Sequence, residues 1–174
     1  LRRRPQRRAA RLLLLLPTAT ARAYVAPNLA VTWIFLQATT LCSAGLIYYR
    51  GTAQTLEAAW KYVFVCSTGI AMAYLGILLL AAATKCESLS YEAVAAAAPG
   101  SNALYLKIAF LPILCGYRCK VEIFPVYTVG VDANLAAPAS ASALLATAAV
   151  NAGSLSVRRA HQIPPHAQCH PLRS

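Results

Sequence analysis

WKYVFVCSTGIAMAYLGILLLAAA, residues 60–83, decides the kind of protein this is. The run exceeds the roughly 20 apolar residues that a membrane-spanning helix needs. Its one charge, Lys61, stands at the start, where a long stem can carry the ammonium to the interface. Immediately upstream, residues 29–49 (LAVTWIFLQATTLCSAGLIYY) meet the same criterion. Trp33 lies inside that run, and Tyr48 and Tyr49 stand at one end, at the level where aromatic rings settle in a bilayer.

The whole chain fits this reading. It is 59% hydrophobic and 12% charged, against about 25% charged residues in a soluble domain. Such a chain cannot cover itself with a polar surface. The net charge of +11 is concentrated at the ends. Arg2, Arg3, Arg4, Arg7, Arg8 and Arg11 open the chain, Arg22 follows, and Arg158, Arg159 and Arg173 stand in the tail. Basic ends suit nucleic acid or anionic lipid. Neither end interleaves its arginines with aromatics, so a nucleic-acid partner is not expected and the lipid bilayer is.

Downstream, residues 107–145 (KIAFLPILCGYRCKVEIFPVYTVGVDANLAAPASASALL) set charge and proline inside apolar sequence. Charge in that setting is costly in lipid and marks a site by default. Residues 103–117 are expected to be broken by Pro112, and residues 135–152 form a helix of small residues suited to close packing. Residues 118–134 are either a break at membrane depth, as at transporter ion sites, or a loop outside the membrane. The fold class is all-α: a polytopic transmembrane helix bundle with a discontinuous helix and about four spanning segments. Residues 1–27 read as a basic, disordered segment, 28–152 as the transmembrane core, and 153–174 as a disordered Pro/His-rich tail. The run 12–16 is too short to span. It loosely mimics a signal peptide or, with its arginines, an organellar transit sequence.

The six cysteines are scattered. Cys115 and Cys119 lie one helical turn apart without a second ligand pair nearby, so packing is the expected role. His161, His166, Cys169 and His170 read as terminus composition, and no metal is expected. No paired-cysteine motif for an iron–sulfur cluster and no Gly-rich dinucleotide loop is present, so no cofactor is expected either.

From about residue 28 to 151 the chain resembles the antiporter-like, proton-translocating subunits of membrane oxidoreductases. These belong to respiratory complex I, to formate hydrogenlyase-type hydrogenases and to multisubunit cation/proton antiporters. The resemblance is strongest to the hydrogenase branch. TLEAAWKYVFVCSTGIAMAYLGILLL, NLAVTWIFLQATTLCSAGLIYYR, then GYRCK, Pro125, Asp132-Ala133, Ala137-Pro138 and SALL with Asn151 carry it in order. The family fold has many more helices, so the resemblance implies a middle slice, and Leu1 in place of Met points the same way.

The resemblance implies that Lys120 is the central lysine, which takes up and releases protons beside a helix break. Burial disfavours an ammonium and a nearby carboxylate favours it, so moving the carboxylate switches proton affinity. Lys61 and Lys107 match family lysines and are either relays or interface anchors. Asp132, Pro125 and Pro138 shape the break. Gln37 stands where the family has glutamate and cannot titrate. Tyr127 and Asn134 replace histidines, and Val129, Gly130 and Val131 stand where Trp-Leu-Pro is typical. Glu122 is either a substitute partner for Lys120 or a mere neutralising charge.

The expected function is that of a non-catalytic membrane subunit, coupling electron transfer to proton movement in a hydrogenase or NADH-quinone oxidoreductase-like complex. Its partners would be the other membrane and peripheral subunits, in a bacterial or archaeal cytoplasmic membrane. The alternative is a degenerate or structural membrane protein that moves no protons. The resemblance places the loop 50–59 on the cytoplasmic side and 84–102 opposite, with residues 1–27 outside. Seven arginines there would violate the positive-inside tendency, and both ends are expected to be sequence foreign to the core, out of frame or misassembled.

Overall fold

The computed structural model describes residues 3–85, 88–97, 100–122 and 127–162. Among them every regular element is helical, apart from one isolated antiparallel bridge between Asn28 and Ser90. The order is α1 (Arg3–Val25), α2 (Leu29–Ile47) with a 3₁₀ turn at Tyr48–Arg50, α3 (Ala53–Thr84), α4 (Tyr91–Ala97), α5 (Ala103–Lys120), α6 (Tyr127–Ala136), α7 (Ala139–Leu144), a π-helical turn at Leu145–Ala149, and α8 (Val150–Gln162). Three described stretches are long and apolar enough to cross a membrane: Leu29–Arg50, Ala53–Thr84 and Ala139–Arg159. The protein is an all-α membrane bundle.

The longest helix, α3, has 32 residues, about 48 Å at 1.5 Å per residue. It starts seven residues before the apolar run, because Thr52 and Thr55 form a reciprocal capping box. The expected 50–59 loop is thus reduced to a turn through Gly51, whose φ of 64° is left-handed. At the far end, Leu29 N donates to Leu89 O at 3.0 Å and Tyr91 N to Pro27 O at 3.2 Å. These bonds pin the connection after α3 to the start of α2.

Helices α3 and α5 approach so closely that their glycines are obligatory. A Cβ on Gly116 would lie 2.3 Å from the Gly69 carbonyl oxygen and 2.6 Å from Ala73 N. Small residues on facing helices let backbones meet in lipid, where packing drives association. The expected break at Pro112 does not occur: α5 runs through it. In a membrane bundle, neighbouring helices and local adjustment compensate the lost hydrogen bond. The breaks fall later, after Lys120 and again at Ala137–Pro138.

Two expectations about the ends are corrected. Residues 3–25 are helical, not disordered, because Leu12, Leu16, Thr20 and Ala23 recur at helical spacing along one face. Leu16 and Ala23 are buried at 0% and 2% exposure against the bundle. Leu12 meets Gly45 near the end of α2, while the carbonyls of Tyr24 and Ala26 accept hydrogen bonds from Arg159 of α8. So α1 lies antiparallel along α2. Its arginine-rich start returns to the end that holds Arg50 and not to the opposite end, where the resemblance had placed it. The tail is likewise helical through Gln162, with Ala152 and Ser156 buried. Residues 163–174, including His166, Cys169 and His170, lie outside the described residues, as does Pro125.

Candidate functional site around Lys120

Lys120 is the last residue of α5 and is 1% exposed. A cation at a helix C-terminus gains from the backbone dipole, but this one is cut off from water and needs partners. Its Nζ donates to Thr40 Oγ1 at 2.9 Å and to the Tyr62 hydroxyl at 3.2 Å. It also lies 5.4 Å from the centroid of the Tyr62 ring, within cation–π reach. Both partners are fixed from neighbouring helices. Thr39, Thr40 and Ser43 form a buried hydroxyl face on α2, and Tyr62 and Cys66 form the facing patch of α3. Gly153 of α8 closes the other side: a Cβ there would lie 3.3 Å from Lys120 Cγ. The site therefore draws on four helices.

Hydroxyls both donate and accept. One of them can accept an N–H of a neutral amine while the other donates to its lone pair, and both can accept from an ammonium. The pair of Thr40 and Tyr62 therefore tolerates Lys120 in either protonation state. That is the property a proton carrier needs.

Past Lys120 the backbone turns sharply. Glu122 has φ 57°, left-handed for a residue with a side chain, a conformation that costs on the order of 1–3 kcal/mol and persists only where its surroundings enforce it. Its carboxylate occupies the space over Gly130 of α6, where a Cβ would lie 2.0 Å from Oε2. From there it interacts electrostatically with Lys120 without forming an ion pair.

The remaining sequence-predicted residues are dispersed. Gln37 Nε2 donates to Ser67 Oγ at 3.4 Å, and its buried Oε1 has no partner. Gln37 stands one turn before Thr40 and does not touch Lys120. Lys61 is half exposed and pairs with Glu57 at 2.7 Å. With Arg50 and Asp132 it lines a polar cleft of about 370 Å³ at the α2–α3 turn. Lys107 is exposed on α5, thirteen residues or about 20 Å from Lys120 along the helix axis. Pro138 stands at the N-cap of α7. Thr40, Tyr62 and Cys66 were not singled out by sequence. Thr40 alone had a signal, the polar spacing of 39, 40 and 43 within an apolar helix.

A buried lysine at a helix break, held by hydroxyls of two adjoining helices, directs attention to membrane ion-handling proteins. Residues 26–169 match the family described as NADH:quinone oxidoreductase/Mrp antiporter, TM. The chain belongs to this family. The match passes the expected core boundary at 152 and takes in all of α8. A hydrogenase-4 component F homolog of Methylacidiphilum infernorum (isolate V4) is 32% identical over 140 residues, covering 76% of this chain and 29% of that protein. NADH-quinone oxidoreductase subunit N of Ectopseudomonas mendocina (strain ymp) is 28% identical over 141 residues, covering 80% and 28%. The chain thus spans less than a third of the length of these family members.

Proposed function

We propose that this chain is the lysine-bearing part of a proton-translocating subunit in a hydrogenase or NADH-quinone oxidoreductase-like complex of a bacterial or archaeal cytoplasmic membrane. Other membrane and peripheral subunits would supply the electron transfer that drives it. The observation that carries this reading is the buried Lys120 amine on its two hydroxyl partners, at a break in the helix. Lys120 is the proton carrier. Thr40 and Tyr62 are its hydrogen-bonding partners, and Glu122, seated on Gly130, supplies the titratable carboxylate that Gln37 cannot. Lys61 and Asp132, in the outer cleft, are the relay at the surface. Lys107 is too remote from the cluster for direct exchange and serves as an interface anchor.

A specific observation favours a second reading, a structural membrane protein without proton transfer: Gln37 is non-titrating and turned toward Ser67. Proton flux decides between them. The chain is reconstituted into vesicles containing a pH-sensitive dye, under a potassium diffusion potential. The proposal expects flux above that of empty vesicles, loss of that flux in Lys120→Ala, and no change in Lys107→Ala. Wild-type flux indistinguishable from Lys120→Ala establishes the structural reading instead.

A further inference from the structure

We propose that Arg7, Arg8 and Arg11 of α1 join Arg50 in a basic collar that binds the anionic headgroups of phospholipids in one leaflet. The argument is independent of proton transfer and begins with depth. The side chain of Leu12 fills the space over Gly45, where a Cβ would meet Leu12 Cδ1 at 2.8 Å. Leu16 packs in one cluster with Leu46, Ile47 and Ala58. These contacts fix the register of α1 against α2. Arg7 and Arg8 lie five and four residues before Leu12, and Arg50 lies five after Gly45. Arg7, Arg8 and Arg50 therefore stand about 6–8 Å beyond the same contact level, on the same side of the bundle, and Arg11, next to Leu12, reaches toward them along its stem.

That level is a membrane surface. Tyr48 and Tyr49 are 45% and 38% exposed there, with Trp60, 65% exposed, about 10 Å deeper along α3, and exposed aromatic rings collect at the headgroup boundary. All four arginines are exposed, and among the described residues none has an ion-pair partner. The acids at this end are Glu57, already paired with Lys61, and Asp132 in the cleft beside it. The excess positive charge is left facing the headgroups. Guanidinium forks match phosphate oxygens bidentately, and each basic residue near an anionic surface adds attraction that salt weakens. Nucleic-acid phosphates share this chemistry, but the collar lies at the aromatic boundary of a membrane bundle, which commits it to lipid.

The test uses the full chain in vesicles of phosphatidylcholine with a minor fraction of phosphatidylglycerol. Either the zwitterionic or the anionic lipid carries bromine, which quenches tryptophan on contact. Trp33→Phe leaves Trp60 as the reporter, in the lipid just below the collar. The proposal expects brominated phosphatidylglycerol to quench Trp60 several-fold more than its bulk fraction predicts, with the excess shrinking as salt rises. The triple variant Arg7→Gln/Arg8→Gln/Arg11→Gln should lose at least about half of that excess, whereas Arg22→Gln, at the opposite end of α1, should retain it. Far-UV circular dichroism confirms that each variant is folded. Equal quenching by the two lipids, or a triple variant that keeps the full preference, overturns the proposal. A wild type that binds single-stranded RNA in micelles and shows no lipid preference reassigns the arginines and also overturns it.

Discussion

Replacing Gly116 by alanine would place a methyl carbon 2.3 Å from the Gly69 carbonyl oxygen and 2.8 Å from Ala73 Cβ. A relaxed carbon–oxygen contact is about 3.3–3.6 Å, so α3 and α5 must separate by about 1 Å. Glycine to alanine inside a helix normally gains about 0.5–1 kcal/mol. Here the gain is overcome, because forcing extra atoms into a packed seam costs about 1–3 kcal/mol. A gap of about 0.5–1 Å also forfeits a quarter to a half of each dispersion contact beside it. The separation carries Lys120, one turn further along α5, away from Tyr62 on α3, and their hydrogen bond starts at 3.2 Å. The expected result is a net destabilisation of about 1–2 kcal/mol, measured by sodium dodecyl sulfate titration of the micelle-solubilised chain with tryptophan fluorescence as readout. Gly100→Ala, where a Cβ meets nothing within 4 Å, is the control and should be neutral. A Gly116→Ala protein as stable as wild type, or more so, refutes the glycine-seam reasoning, because helix propensity would then have won.

Thr40→Val and Tyr62→Phe each remove one hydroxyl from the Lys120 amine and should each cost about 1–3 kcal/mol in the same titration. The double variant should cost more than the sum, since either remaining hydroxyl can still hold the amine. Lys61→Met breaks an ion pair whose side chains are 51% and 66% exposed, so the midpoint of the same titration should not move measurably. Arg159→Gln removes the guanidinium that donates to the Tyr24 and Ala26 carbonyls and stacks 5.3 Å from the Tyr91 ring centroid. Loss of these charged hydrogen bonds should cost about 1.5–3 kcal/mol and raise protease cleavage near residue 26, read by mass spectrometry.

The spanning helices were legible because hydropathy over a long run needs no knowledge of partners: residues 29–49 and 60–83 both lie within observed helical stretches. Lys120 was legible for the opposite reason, as charge where charge is costly. Its partners were not. Thr40 and Tyr62 are separated from Lys120 by 80 and 58 positions, and local pattern does not tell which faces of three helices converge. Helix α1 escaped because its apolar content is a stripe, Leu12, Leu16, Thr20 and Ala23, whose burial depends on α2 lying beside it. Length is the wrong criterion for such a helix. Pro112 was over-weighted: a rule drawn from water, where a broken helix can be solvated, fails where its neighbours are helices and lipid.

Helix α3 outruns the medium it crosses. A hydrocarbon core of about 30 Å is spanned by roughly 20 residues, and even a tilt of about 40°, the steep end of the observed range, leaves a helix of 32 residues with more than a turn to spare. Its apolar middle can slide to meet a thicker or thinner bilayer while its capped start and far end project into the headgroups. Bilayer thickness therefore places little strain on α3 itself, and any mismatch falls on its shorter neighbours such as the 19-residue α2.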